Sequence, residues 1–257
     1  MELLSGKIVI LSGGNSGIGE AISKRLRTLG AKIAVLSRSA RSEREAGNFL
    51  YYQCDVTDEG MCKSSIDDIV EKLGPPDGLI CNAGITELGD VVAVKDEQIE
   101  KVFAVNVMGA ARLCRMVLPH MVKKRSGSVV FTTSVAGIRG CSRQAAYVMS
   151  KHAEQGLMKA ICVDYGKYNI RANSVAPGWT RTPMAEMEMA ALGKSRNTSK
   201  EEAFQFSTRY YPLKRMSETY EVADAICYLI SDMSTAITGA TLPADAGSMA
   251  VDVGAPD

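Results

Sequence analysis

The stretch KIVILSGGNSGIGEAISKRLRTL, residues 7–29, decides the fold of this chain. It begins with KIVILS, an apolar and β-branched run that is typical of a short buried strand. Four glycines follow, at Gly13, Gly14, Gly17 and Gly19. An apolar stripe with helical spacing comes next: Ile18, Ala21, Ile22, Leu26 and Leu29. A strand, a glycine turn and a helix in this order predict a pyrophosphate-binding α/β unit, with the anion at the helix N-terminus.

The rest of the chain alternates strand and helix patterns. Further strands are predicted at AKIAVLS, LYYQC, GLIC, GSVVFTT, IRANSV and Thr241 to Ala244. Helices are predicted over Ile18 to Leu29, Glu59 to Leu73, Gln98 to Val122 and Ala146 to Tyr165. This alternation predicts a Rossmann-type, doubly wound α/β fold, with a mostly parallel seven-stranded sheet and helices on both faces. We find no domain boundary, so residues 1–257 are predicted to form a single domain.

Composition excludes several classes of protein. The net charge of +1 provides no field for nucleic acid or an anionic membrane. No apolar run approaches the eighteen or so residues that span a bilayer. The seven cysteines are odd in number and form no C-x-x-C pair, and there are two histidines. We therefore expect reduced thiols in a cytoplasmic protein, without a disulfide framework or a metal site.

A second pattern indicates proton chemistry. Tyr147 and Lys151 lie four residues apart in YVMSK, within a predicted helix, so both side chains share one helix face. An ammonium beside a phenol is expected to lower a pKa that is ordinarily about 10. Such a tyrosine can exchange protons with an alcohol or a ketone. Ser134 closes a strand upstream and can hold the same substrate oxygen.

Other motifs follow in chain order. They read CDVTD at residues 54–58, CNAG at 81–84, VFAVNVMG at 102–109, FTTSVAG at 131–137 and PGWTRT at 177–182. Together with the glycine turn and the spacing of Ser134, Tyr147 and Lys151, they cover nearly the whole chain. The sequence therefore resembles the short-chain dehydrogenase/reductase family. Ser12 stands where the family motif has a threonine, and Ala246 where the family often has a glycine.

The resemblance implies a role for each matching residue. The catalytic positions fall on Asn106, Ser134, Tyr147 and Lys151. Asn106 would hold a water of the proton relay, and Lys151 would also bind the nicotinamide ribose. The cofactor-binding positions fall on Gly13, Asn15, Ser16, Gly17, Ile18, Gly19, Ser37, Arg38, Asp55, Val56, Asn82, Ala83, Gly84, Tyr147, Lys151, Pro177, Gly178, Thr180 and Thr182. Among these, Asp55 and Val56 would flank the adenine, and Thr182 would contact the nicotinamide carboxamide.

The end of the second strand indicates which nicotinamide cofactor is bound. An acid at this position suits the ribose 2′-hydroxyl of NAD, whereas an arginine suits the 2′-phosphate of NADP. Ser37 occupies the position of the acid, Arg38 follows it, and Arg41 adds charge. Ser16, however, stands where some NADP-dependent relatives carry a basic residue. We expect a preference for NADP(H), with NAD(H) as the alternative if Arg38 only stacks on the adenine.

Residues 183–216 interrupt the alternation just after PGWTRT and are rich in methionine and aromatic residues. The family uses this region as a substrate lid, and we expect a lid here. A packed helical pair that covers the end of the sheet is the alternative. Tyr210 and Tyr211 fit either packing or ligand contact.

The predicted function is hydride transfer between NADP(H) and a small-molecule carbonyl or secondary alcohol, with Tyr147 as the general acid and base. A 3-oxoacyl-thioester reductase that acts on acyl-carrier protein is the alternative, since basic residues near the site (Arg139, Arg143, Arg181, Arg209, Lys214 and Arg215) could receive an acidic partner. A non-catalytic NADP-sensing protein is a further alternative. The apolar helices Gln98 to Val122 and Ala146 to Tyr165 and the resemblance together predict a homotetramer or a homodimer.

Overall fold

A computed structural model describes residues 3–39, 45–46 and 48–251, with the backbone alone for residues 45–46. Eight strands form one sheet: β1 Ile8–Ser12, β2 Lys32–Ser37, β3 Glu45–Ala46, β4 Phe49–Gln53, β5 Gly78–Cys81, β6 Gly127–Thr132, β7 Ile170–Pro177 and β8 Thr241–Ala244. Their spatial order is β3-β4-β2-β1-β5-β6-β7-β8. Among the described residues, seven strands pair in parallel, as predicted, and β3 alone is antiparallel to its neighbour. At two residues, β3 is too short to produce a periodic pattern.

Eight α-helices surround the sheet: α1 Gly17–Thr28, α2 Glu59–Leu73, α3 Asp96–Phe103, α4 Ala110–Lys124, α5 Ala145–Tyr165, α6 Pro183–Arg196, α7 Lys200–Thr208 and α8 Thr219–Ile230. The four predicted helices are all present. A π-helical turn, Ala104–Gly109, joins α3 to α4 where one helix was predicted. Helix α8 was not predicted. It begins with a capping box of Glu218 and Glu221 instead of the serine, threonine or aspartate that usually marks a helix start.

The strands alternate their side chains between two apolar layers. Ile10 lies in one layer with α2, α4 and α5 residues such as Ile66 and Val117. Val9 and Leu11 lie in the opposite layer, against α1 and α8. Residues of β6 alternate in the same way. Helices therefore cover both faces of the sheet, and the doubly wound arrangement predicted from the sequence is confirmed.

The chain changes direction across the sheet at β1. From β1 it runs outward through β2 and β4, and it then returns to build β5, β6, β7 and β8 on the other side. The carboxyl ends of β1 and β5 therefore lie side by side with diverging connections. In open parallel sheets such a switch point leaves a crevice for ligands.

The continuous helix Asp96–Lys124 is long and apolar enough, by length and composition, to cross a membrane, which no run of the sequence had indicated. Its residues Leu113, Val117 and Met121 are buried in the layer against the sheet. The core helix of a folded domain has the same length and composition, and we interpret this helix in that way.

The predicted lid region is a pair of packed helices. Thr182 caps α6 by accepting a hydrogen bond from the Ala185 amide, and Pro183 occupies the first turn. A capping box of Ser199 and Glu202 begins α7. A small apolar cluster holds the two helices together: Ala185, Met189, Ala203, Phe204 and Met216. This cluster is separate from the two layers of the sheet.

Candidate active site

The glycine turn joins β1 to α1 and leaves no room for side chains. Gly13 and Gly17 have φ angles of 69° and 53°, a region that L side chains rarely adopt. A Cβ atom on Gly19 would lie 1.9 Å from the carbonyl oxygen of Gly13. At the start of α1 the backbone of Ser16 is extended, and its side chain makes no capping hydrogen bond. Uncapped N–H groups at the positive end of a helix fit a pyrophosphate.

Ser12 and Asn82 tie the carboxyl ends of β1 and β5 together. The Ser12 hydroxyl oxygen accepts hydrogen bonds from the backbone N–H groups of Asn82 at 3.0 Å and Ala83 at 3.1 Å. The Asn82 side-chain amide donates to the carbonyl oxygens of Ser12 at 3.2 Å and Gly13 at 3.0 Å. Serine thus supplies at residue 12 the hydroxyl that the family motif places on a threonine.

The predicted adenosine side forms its own small cavity of about 70 Å³. The cavity is lined by Gly13, Leu36, Ser37, Arg38, Cys54, Asp55, Val56, Ala83, Gly84, Ile85 and Val105. Burial raises the pKa of Asp55, but hydrogen bonds from Thr57 and the positive charges of Arg38 and Arg112 outweigh it and hold that pKa below its ordinary value. Arg41 lies outside the described residues.

Three side chains of the predicted catalytic set meet at the carboxyl end of β6. Ser134 follows that strand by two residues, and its hydroxyl hydrogen-bonds to Tyr147. Tyr147 stands in the first turn of α5, and Lys151 one turn further on. The Lys151 ammonium nitrogen lies 5.5 Å from the centre of the Tyr147 ring. It donates hydrogen bonds to the carbonyl oxygen of Thr132 at 3.0 Å and to Glu154 Oε2 at 2.8 Å.

The pKa of Tyr147 differs in direction from the sequence-based expectation. Burial raises it above the ordinary value. The positive charge of Lys151 acts in the expected direction and lowers it, but the negative charge of Glu154 opposes that effect. A carboxylate beside the lysine was not predicted. Burial together with this carboxylate outweighs the lysine, so the pKa of Tyr147 lies above its ordinary value.

Asn106 lies in the π-helical turn and is fully buried. Its side-chain oxygen accepts from the Ile85 N–H at 2.8 Å, and its nitrogen donates to the Ile85 carbonyl at 3.0 Å and to the Ser150 hydroxyl at 2.9 Å. It therefore links the loop after β5 to α5. A Cβ atom on Gly84 would lie 3.5 Å from both Asn106 Oδ1 and Lys151 Nζ, and Asn106 itself does not line the cavity.

The segment after β7 closes the predicted nicotinamide side of the site. The Thr182 methyl group lies over the glycine turn, 3.3 Å from where a Cβ atom of Gly17 would be. The buried Thr180 hydroxyl donates to the Gly178 carbonyl at 3.2 Å. Through this segment, the glycine turn meets the start of α6, in the predicted lid region.

One cavity of about 580 Å³ connects the glycine turn, the Ser134, Tyr147 and Lys151 side chains and the segment after β7. Ser134, Tyr147 and Lys151 line this cavity, together with the predicted cofactor-binding residues Gly13, Ser16, Gly17, Ile18, Gly19, Asn82, Ala83, Gly84, Pro177, Gly178, Thr180 and Thr182. Of the predicted site residues, Asn15 and Asn106 line neither this cavity nor the adenosine one. The structure thus brings the predicted residues together, apart from these two.

The far end of the cavity contains side chains that the sequence did not single out. Gln144 donates to Glu188 Oε2 at 3.0 Å, and burial raises the pKa of Glu188. Cys141 and Trp179 also line this end, together with Met184 and Tyr211 of the predicted lid region. No spacing rule connects residues 135–144 to residues 179–211. Glu154, by contrast, could have been found from the sequence. It follows Lys151 by three residues, a spacing that brings two side chains together on one face of a helix.

Cys141 lines the main cavity and Cys54 the small one, and neither belongs to a disulfide. All seven cysteines are free. Two buried pairs are in contact, Cys54 with Cys62 at 3.7 Å and Cys81 with Cys114 at 4.0 Å between the sulfur atoms. Within residues 3–39, 45–46 and 48–251, no three histidine, cysteine, aspartate or glutamate side chains are grouped as metal ligands would be.

Comparison with known proteins decides the family. The family profile described as Enoyl-(Acyl carrier protein) reductase matches residues 13–249. The chain belongs to the short-chain dehydrogenase/reductase family. The 2,5-dichloro-2,5-cyclohexadiene-1,4-diol dehydrogenase of Sphingobium indicum is 34% identical to it over 261 residues, covering 98% of this chain and 100% of the relative. The 3-oxoacyl-[acyl-carrier-protein] reductase FabG of Thermotoga maritima is 34% identical over 252 residues, covering 95% and 98%.

Solved structures of the family have the same fold. The ligand-free aldohexose dehydrogenase of Thermoplasma acidophilum superimposes with a TM-score of 0.91 at 31% identity, over 100% of this chain and 99% of that one. ElxO with bound NADP superimposes with a TM-score of 0.86 at 29% identity, over 95% and 99%. This short-chain dehydrogenase/reductase is therefore an oxidoreductase with the nicotinamide-binding fold of its relatives.

Proposed function

We propose that this enzyme transfers a hydride between NADP(H) and a small-molecule carbonyl or secondary alcohol, with Tyr147 as the general acid and base. The observation that carries the proposal is the single cavity of about 580 Å³ that contains the glycine turn at one end and Ser134, Tyr147 and Lys151 beside it. A predicted pyrophosphate site and a half-buried phenol in one cavity suit a redox reaction that also moves a proton.

The residues present fit a dinucleotide. Glycines at residues 13, 17 and 19 leave backbone without side chains beside an uncapped helix N-terminus. Asn82, Ala83, Gly84, Pro177, Gly178, Thr180 and Thr182 border the path from there to Tyr147. When bound, the nicotinamide would supply or accept the hydride.

The protein's own residues handle the proton. The Tyr147 hydroxyl donates its proton to the carbonyl oxygen during reduction and recovers one from the alcohol during oxidation. Ser134 hydrogen-bonds the same oxygen and fixes its position. Lys151 favours the phenolate that forms on Tyr147, and Asn106 holds the loop after β5 beside the lysine, near the predicted water of the relay.

The preference for NADP(H) rests on the carboxyl end of β2. Ser37 is buried there and Arg38 is exposed beside it, in the small cavity with Asp55 and Val56. A guanidinium without a competing acid on the strand suits a 2′-phosphate. The NADP bound to the related ElxO is consistent with this assignment.

The charge of the substrate end favours a neutral, small carbonyl compound. Glu188 extends from α6 into the cavity and, among the described residues, has Gln144 as its hydrogen-bond partner and no cation. Residues 183–216 would act as the lid, since Met184, Glu188 and Tyr211 line the cavity. A carboxylate at this depth disfavours substrates with an anionic group close to Glu188, whereas Arg139, which lines the same cavity and donates a hydrogen bond to the Ser248 carbonyl, would tolerate one on its side.

One observation supports the acyl-thioester alternative: the similar protein from Thermotoga maritima is a 3-oxoacyl-[acyl-carrier-protein] reductase. The basic residues that would receive an acyl-carrier protein are, however, largely engaged. Arg181 lies 3.6 and 3.7 Å from Glu201 and Glu218, Arg215 lies 2.7 Å from Glu221, and Arg209 stacks on Phe206. A sensor without turnover is disfavoured because the catalytic set is complete.

Assembly and location remain predictions. We expect a homotetramer or a homodimer, because Met108, Met149 and Val163 on the helices around the site are 48%, 39% and 79% exposed. Reduced thiols suit the cytoplasm. Light scattering at micromolar concentration would detect the assembly, and a monomer would contradict it.

The test is NADPH oxidation by the wild-type enzyme over a panel of simple ketones, cyclic diketones, quinones, steroids and 3-oxoacyl thioesters. We expect turnover of neutral carbonyl compounds. Turnover of the thioesters alone would favour the acyl-thioester alternative. Tight NADPH binding without turnover of any compound would favour the sensor.

A further inference from the structure

The buried ion pair between Lys151 and Glu154 is the feature that the proposed mechanism leaves unexplained. The two charged groups are 2.8 Å apart, and their side chains are 3% and 2% exposed. Both lie on α5, three residues apart, so the helix itself sets their approach. The Thr132 carbonyl at the end of β6 accepts a second hydrogen bond from the same ammonium. The lysine is therefore held between the strand end and the glutamate.

Stability alone is a weak reason for such a pair. Desolvation of two charges offsets most of their attraction, and apolar replacements of buried pairs are often neutral or stabilising. The position of the pair is more informative, because Tyr147 stands one turn away on the same helix face. An ammonium paired with a carboxylate acts on a nearby phenol much less strongly than a lone ammonium does.

The net charge of the Lys151–Glu154 pair depends on pH, because the surroundings of the pair determine which of its groups titrates near neutral pH. Burial raises the pKa of Glu154 to about 7, although Lys151 opposes this. Across the pair, Cys81 at the end of β5 contacts Cys114 of α4, and its thiol has a raised pKa and stays neutral. On the other side, Tyr147 faces the lysine, and Glu188 of α6 acts on Tyr147 from the cavity. Glu154 is therefore the group here whose charge changes near neutral pH.

We propose that Glu154 is a positioning residue of the active site, which holds the Lys151 ammonium against the end of β6 and partly neutralises the positive charge that Tyr147 experiences. Above about pH 7 the glutamate is ionised, and Tyr147 retains its proton more firmly. Below that pH the glutamate is neutral, and the full charge of Lys151 acts on the phenol. The role of Tyr147 in turnover rests on the function proposed above, whereas the electrostatic coupling does not.

The coupling can be measured without turnover, from the ultraviolet absorbance of tyrosinate during a pH titration. The difference between the wild type and Tyr147→Phe isolates Tyr147, and the same pair of measurements is made in Glu154→Gln. We expect Glu154→Gln to lower the pKa of Tyr147 by about one unit, which is about tenfold in the phenolate fraction below that pKa. An unchanged or higher pKa would overturn the proposal.

A charge-matched control distinguishes local coupling from net charge. Asp164 lies on the same helix and is exposed, so Asp164→Asn removes one negative charge away from the pair. It should leave the titration of Tyr147 unchanged, and an equal shift in both variants would contradict a specific role for Glu154. If Glu154→Gln does not fold, Glu154→Leu removes the same charge and is judged by the same shift.

The pH profile of alcohol oxidation provides the second readout. Because the wild-type glutamate is neutral below about pH 7, Glu154→Gln and the wild type should oxidise equally fast there. Above that pH the variant should become faster, towards about tenfold, since more of its Tyr147 is phenolate. A ratio that is independent of pH would indicate a purely structural role and would overturn the proposal. Loss of turnover in both proteins, with the titration shift intact, would instead contradict only the proposed function.

Discussion

The side-chain amide of Asn82 donates a hydrogen bond to the carbonyl oxygen of Gly13 at 3.0 Å. The asparagine at the end of β5 thus fixes the first peptide of the glycine turn at the end of β1. Gly19 completes the arrangement from the first turn of α1, because any Cβ atom there would lie 2.6 Å from the Asn82 amide nitrogen and 1.9 Å from the Gly13 oxygen. The shape of the proposed pyrophosphate site depends on these three residues.

Gly19→Ala should therefore weaken NADPH binding. The added methyl group would push the Gly13 carbonyl and Asn82 away, and the backbone could no longer approach the pyrophosphate. We expect a loss of at least about tenfold in affinity, or about 1.4 kcal/mol, measured by fluorescence titration with NADPH. Gly156→Ala on α5 is the control, because nothing lies within 4 Å of the new Cβ atom. Equal affinities in wild type and Gly19→Ala would contradict this account of the turn.

Ser37→Asp should change the cofactor preference. A carboxylate at the end of β2 would repel the 2′-phosphate of NADPH and could hydrogen-bond the 2′-hydroxyl of NADH. We expect the ratio of the dissociation constants to move towards NADH by about tenfold or more, which corresponds to about 1.4 kcal/mol. Ser64→Asp, on the exposed side of α2, adds the same charge elsewhere and should leave the ratio unchanged. Equal wild-type affinities for NADPH and NADH would contradict the preference itself.

The fold was largely predictable because its signals are local. The strand runs, the glycine turn and α2, whose bounds of Glu59 and Leu73 are as predicted, depend on residues close in the sequence. Helix α8 was missed because its cap is formed by two glutamates instead of the usual starting residues. The π-helical turn around Asn106 was missed because it leaves the apolar spacing of the surrounding helix nearly unchanged.

The sequence indicated which residues would line the candidate site near the glycine turn and Tyr147, but not which would line its far end. Residues such as Tyr147 and Lys151 follow fixed spacings, whereas Gln144 and Glu188 meet only through the docking of α6 beside the start of α5. The direction of the Tyr147 pKa was wrong for a related reason. It depends on burial and on the Glu154 charge, and the four-residue spacing of Tyr147 and Lys151 contains neither.

Ala246 provides a stability prediction near the site. Its φ is 54°, and an L residue in this region costs roughly 1 kcal/mol relative to glycine. Ala246→Gly should therefore leave the free energy of unfolding unchanged or raise it by up to about 1 kcal/mol. The gain is partly offset because glycine increases the conformational entropy of the unfolded chain. Ala240→Gly, at a residue without positive φ, should lower it. Chemical denaturation measures both, and an equal loss in the two variants would contradict strain at Ala246.

Glu221 should make the fold sensitive to acid. Hydrogen bonds from Arg215 and from the Glu218 N–H lower the pKa of Glu221 to about 2. Because the pKa of Glu221 is lower in the folded protein than in the unfolded chain, its ionised form stabilises the fold at any pH above the ordinary glutamate pKa. This contribution is lost as the pH falls towards 2. Glu221→Gln should thus lower the melting temperature at neutral pH, with the difference disappearing near pH 2. Glu100→Gln, an exposed change on α3, should have little effect, and a wild-type advantage that persists at pH 2 would contradict this origin.

The most direct test of the central claim compares the wild type with Tyr147→Phe. The measurement is NADPH oxidation with the best carbonyl substrate, alongside the dissociation constant for NADPH. Removal of one hydroxyl abolishes proton transfer but leaves the glycine turn intact, so we predict a loss of roughly 10³-fold in kcat with the affinity for NADPH unchanged within about twofold. A Tyr147→Phe enzyme that keeps substantial turnover would contradict the assignment of Tyr147 as the general acid.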